Sequence, residues 1–154
     1  MNEYITNQKA ALWGLLSGLT LALGWKGILV LAWVTLMGLD YLTGTFAAMK
    51  GGSWSSRKAR EGAWHKCGAI IVVMVSAICD GVLGVICGNI PLVNIRWPGL
   101  LLPLILAWYI LTELGSILEN AITLGAKAPH WLTAALEITL KAVDDLGDKT
   151  NAEL

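Results

Sequence analysis

Charge is what this sequence has least of. Only 14% of its 154 residues are Asp, Glu, Lys or Arg, against about 25% in a soluble domain. A chain so poor in charge cannot cover a water-facing surface, so its surface is expected to face lipid. The 11 basic and 11 acidic residues cancel, which removes the bulk attraction that nucleic acid would need. Cysteine is scarce as well. Cys67, Cys79 and Cys87 lie in or beside one apolar stretch, without CxxC or Cys/His metal spacing, and an odd count argues against a disulfide framework. The two histidines, His65 and His130, stand outside any HExxH pattern, no serine has a GxSxG setting, and Gly51-Gly52 precedes no Walker or Rossmann pattern. Asp144-Asp145 reads as a solvated face near a helix end. With no metal, cofactor or nucleophile-base arrangement, the expectation is a protein that is not an enzyme and needs no cofactor. The first residues lack a basic n-region and a clear small-x-small cleavage site, so the first apolar stretch is expected to be retained.

What the sequence has in quantity is apolar length: 56% of residues are hydrophobic and the mean hydropathy is +0.64. A spanning helix needs about 20 apolar residues. Residues 27–49, 67–87 and 99–118 meet that requirement, and 5–24 meets it marginally because Asn7, Gln8 and Lys9 shorten its apolar part. The expected fold is all-α, an integral membrane protein of helical hairpins with four transmembrane helices and a short C-terminal amphipathic helix. The first segment has two alternatives: a re-entrant hairpin with the second, or a helix lying in the interface. Residues 1–127 form the expected transmembrane domain. Residues 128–154 form the expected cytoplasmic helix and charged tail, with Leu132, Leu136, Leu140 and Val143 on one stripe and Pro129 at its start.

Orientation follows from the basic residues of short loops. The segment 50–66, expected as a loop, carries Lys50, Arg57, Lys58, Arg60 and Lys66 against one acid, Glu61, whereas the opposite turns offer Lys26 and Arg96. The segment 50–66 and the C-terminus are therefore expected in the cytoplasm. Trp25, Trp64, Trp97 and Trp131 fall at span ends, as in an aromatic belt.

Each full span also carries an acid, although a carboxylate at mid-bilayer costs about 2.5–3.5 kcal/mol. Asp40 shares a face with Thr43 and Gly44. Asp80 lies on a row with Ser76, Gly84 and Gly88. Glu113, Ser116 and Asn120 share a face at spacing i, i+3, i+7. Gly14 and Gly18, like Gly84 and Gly88, form GxxxG pairs that let helix backbones meet. Two roles stay open for these stripes: packing the helices of one monomer, or also lining a hydrated surface in a homo-oligomer.

The residues themselves then point to a family. Met37-Gly38-Leu39-Asp40-Tyr41-Leu42-Thr43-Gly44, followed by Ala47-Ala48 and Ser55-Ser56-Arg57, is similar to the span end and basic loop of the toxin-secretion/phage-lysis holin family. Glu113, Ser116-Ile117-Leu118-Glu119-Asn120, Leu124-Gly125 and Pro129 resemble its second block. The similarity covers roughly residues 20–140. It implies a phage or prophage protein of the bacterial inner membrane that self-associates and opens lesions without substrate specificity. Such lesions release an endolysin or, in some relatives, a toxin; an antiholin is a further partner of such proteins. The rival readings are a small selective ion channel or transporter, for which Asp40 and Asp80 would supply the site, and an antiholin or structural membrane subunit.

Overall fold

The computed structural model describes residues 24–90 and 96–152, together with the pairs 9–10, 13–14 and 17–18. The described residues form four long helices and no strand, as the all-α expectation requires: α1 (Trp25–Lys50), α2 (Ser56–Asn89), α3 (Leu101–Thr123) and α4 (His130–Ala152). The first three are long and apolar enough to cross a membrane, at 26, 34 and 23 residues with mean hydropathies of 1.5, 2.6 and 1.8. Among the described residues three of the four expected spans are present. Most of the marginal span 5–24 lies outside the described residues; its described pairs are helical.

Only residues 51–55 connect α1 to α2, so Arg57, Lys58, Arg60 and Lys66 stand on a helix rather than on a loop. Local chemistry explains this. Gly52 turns the chain out of α1 at φ 65, a conformation that costs glycine nothing. Ser55 is extended, and its hydroxyl accepts a hydrogen bond from the Lys58 backbone N–H, the geometry of a helix N-cap. The residues that follow are largely good helix formers, and Arg57 pairs with Glu61 one turn on at 3.1 Å.

α3 is the central helix. It packs against α1, α2 and α4, whereas α1 and α2 touch each other least. The core is small: Trp33 and Met37 from α1, Ala69 and Val73 from α2, and Leu102 and Leu106 from α3. Trp33 lies against Tyr109 with ring centroids 5.6 Å apart. Outside this core the apolar side chains point outward. Ile71, Ile78 and Val85 of α2 are each more than 60% exposed. A surface of this kind is unstable in water and stable in lipid.

α4 packs on α3. Leu132, Leu136, Leu140 and Val143 are half-buried, while Glu137, Lys141, Asp144 and Asp145 are exposed. Its apolar stripe is thus the one that the i, i+4 spacing marks out.

Candidate functional site

Among the described residues, the ionisable groups inside the bundle gather in two clusters. The first joins all three spans. Lys66 of α2 reaches Asp40 Oδ2 of α1 at 3.0 Å and both Glu113 carboxylate oxygens of α3, at 2.8 and 2.7 Å. Asn120 Nδ2 donates to Asp40 Oδ1 at 3.1 Å and to Thr43 Oγ1 at 3.2 Å. The Thr43 hydroxyl in turn donates to the Asp40 carbonyl at 3.1 Å. The charged side chains of Lys66, Asp40 and Glu113 are 19%, 18% and 11% exposed. Asp40 and Glu113 each stand ten residues before the end of their helix, roughly 15 Å at 1.5 Å per residue. That depth is about half of a 30 Å hydrocarbon core. One ammonium serves two carboxylates here, so the cluster holds more acid than base.

The second cluster lies toward the other end of the bundle. The Asp80 side chain, 7% exposed, accepts from Trp97 Nε1 and from the backbone N–H groups of Leu101 and Leu102, each at 3.0 Å. Lys26 Nζ stands 3.7 Å from Asp80 and donates to the Gly99 carbonyl at 2.7 Å. Helix α3 has no side-chain cap of its own at Leu100. Asp80 supplies one from a neighbouring helix, placing negative charge on the donors that a helix N-terminus leaves unpaired. Gly99 makes room for this: its φ is +69, and a Cβ there would lie 2.6 Å from Lys26 Nζ.

The far end of α3 is held in the complementary way. Lys50 Nζ donates to the carbonyls of Thr123 and Leu124 at 3.3 and 2.6 Å, a cation on the negative end of the helix. The central helix therefore receives an acid at its N-terminus and a base at its C-terminus, both from other elements.

The structure brings together four of the polar residues singled out in the sequence, Asp40, Thr43, Glu113 and Asn120. Asp80 stands apart from them. Ser116 lies beside the first cluster and is half-buried. Gly44 allows close approach of α1 and α3, since a Cβ would lie 3.4 Å from Asn120 Nδ2. A Cβ at Gly14, Gly18, Gly84 or Gly88 would meet nothing within 4 Å among the described residues. Lys66, Lys26 and Trp97 carry more than orientation, and residue type alone did not reveal it. The available signal was that intramembrane acids need partners, and that a long Lys stem at a span end can reach inward as well as outward.

A cavity of about 290 Å³ opens beside the first cluster, lined in part by Asp40, Lys58, Lys66, Glu119 and Asn120. Among the described residues no group of three His, Cys, Asp or Glu could hold a metal ion. What the geometry provides is polar contact between membrane-spanning helices. The model of the bacteriophage holin family matches residues 17–141, a stretch that contains α1, α2, α3, both clusters and the first half of α4. No curated protein and no solved structure matches the chain. Matched along most of its length, the chain belongs to the bacteriophage holin family.

Proposed function

We propose that this chain acts as a holin in the cytoplasmic membrane of a bacterial host. It accumulates there, self-associates, and opens non-specific lesions that let an endolysin, or in some relatives a toxin, reach the outside. The observation that carries this reading is the three-helix cluster of Lys66, Asp40, Glu113 and Asn120. A lone chain in lipid satisfies these groups internally. Hydrogen bonds held between helices, rather than within one, can be exchanged for equivalent bonds to a second copy or to water. Above a threshold density the faces of Asp40 and Thr43, of Asp80, and of Glu113, Ser116 and Asn120 line a hydrated lesion. An excess of acid over base favours that exchange, because water solvates two carboxylates that share one ammonium better than lipid does. Membrane potential would delay it, since one charge crossing the membrane is worth about 2.3 kcal/mol per 100 mV. The basic start of α2 and the C-terminus face the cytoplasm, as the placement of Lys and Arg favours.

The test is to express the full chain in a bacterium together with a cytoplasmic muralytic enzyme that has no export signal. An abrupt fall in turbidity is the expected result. Ion leakage without lysis would replace this reading with a selective channel. Neither effect, but delay of another holin's lysis, would replace it with an antiholin. Asp40→Leu and Glu113→Leu should each shift the onset of lysis at equal expression, and unchanged timing in both would remove the polar faces from the mechanism.

A further inference from the structure

We infer that the cavity at the basic end of the bundle binds the headgroup of an aminophospholipid, a zwitterion with one phosphate and one primary ammonium. The inference does not rest on the holin reading. Its first ground is charge. The polar groups on the inner side of the cavity are already engaged with one another: Asp40 accepts from Asn120 through one oxygen and from Lys66 through the other. Two lining charges are different. Lys58 on the first turn of α2 and Glu119 on α3 both line the cavity, and among the described residues neither side chain has an ion-pair or hydrogen-bond partner. An anion alone would meet Glu119, and a cation alone would meet Lys58. A phosphate and an ammonium joined by a short linker would satisfy both, each through a charge-assisted hydrogen bond.

The second ground is depth. The lining includes Trp54 and Ser55 of the connection 51–55, so the cavity opens where the chain leaves the apolar helices. Trp54 is 48% exposed. Tryptophan is a residue that favours headgroup depth. The third ground is size. At about 290 Å³ the cavity lies at the lower edge of small-molecule pockets, which run from about 300 to 1,000 Å³. It suits a headgroup whose acyl chains stay in the bilayer.

Native mass spectrometry of the purified full chain tests this. Phosphatidylethanolamine, phosphatidylglycerol and phosphatidylcholine are supplied in equal amounts, and bound lipid is counted. Phosphatidylethanolamine should be retained about tenfold over the other two. Phosphatidylglycerol lacks the ammonium, and phosphatidylcholine lacks the N–H donors that Glu119 would accept. Lys58→Gln and Glu119→Gln should each lower that retention about tenfold, the loss of one charge-assisted contact. Arg57→Gln, at an exposed pair outside the cavity, should leave it unchanged. Circular dichroism checks that each variant keeps its helical content, and Lys58→Arg should restore retention if loss at Lys58 is electrostatic. Equal retention of phosphatidylglycerol, or undiminished retention in both glutamine variants, overturns the inference.

Discussion

The Asp40 and Asp80 clusters solve one problem, a carboxylate inside a membrane helix, in different ways. Asp80 is answered mainly by backbone. Two N–H groups at the start of α3 and the Trp97 indole donate to it, and Lys26 stands a little farther off. The two backbone donors are fixed by the start of α3, so Asp80 could join the proposed lesion only if α3 moved as a whole. Asp40 and Glu113 are answered by side chains, Lys66 and Asn120, on two different helices. Long side chains can change partners without moving a helix. The comparison separates an anchor that fixes where α3 begins from a contact set that can be exchanged. The rearrangement proposed above would draw on both.

Three substitutions test this contrast. The largest effect is expected from Lys66→Met. It leaves Asp40 and Glu113 together without a cation, and removing one partner of a buried ionic cluster costs about 3–5 kcal/mol. Thermal unfolding of the purified chain in detergent should show that loss, with earlier lysis in cells. Asp80→Asn comes next. The amide oxygen still accepts, but the charge on the α3 N-terminus is gone, at a cost of about 1.5–3 kcal/mol for hydrogen bonds to a charged group. Its unfolding midpoint should fall while the onset of lysis changes less than in Lys66→Met. If Asp80→Asn shifts lysis timing more, the division into anchor and exchangeable contact is wrong. The smallest effect belongs to Lys50→Ala, which removes an exposed cation from the α3 C-terminus. About 0.3–1 kcal/mol is expected, read as a small midpoint shift that shrinks in high salt.

Much of this was legible in the sequence at the level of single helices. Of the four spans that apolar length marked out, the three full ones are helices among the described residues, and the Leu132, Leu136, Leu140 and Val143 spacing gave the stripe of α4. The i, i+3, i+7 spacing put Glu113 and Asn120 on one face, and both now face Asp40 or its partner Lys66. The family was legible too, through the blocks around Asp40 and Glu113. Local capping was harder to see. Ser55 resembles any loop serine until its hydroxyl is found on the Lys58 N–H, a contact that helps start the basic stretch as a helix. Partner choice was not legible at all. Asp40 and Asp80 look alike in the sequence, one acid in one apolar run each, yet one meets an ammonium and an amide and the other meets a helix end.

Composition alone puts this chain in a membrane, because apolar length and scarce charge are additive properties that need no neighbour. Helical periodicity likewise fixes which face of each span is polar. Which polar face meets which is a matter of packing between helices. Lys66 lies 26 residues from Asp40 and 47 from Glu113, separations that no local rule spans. Their meeting depends on how α1 and α2 pack against α3, and that packing is set by the shapes of Trp33, Met37, Val73, Leu102 and Leu106 together.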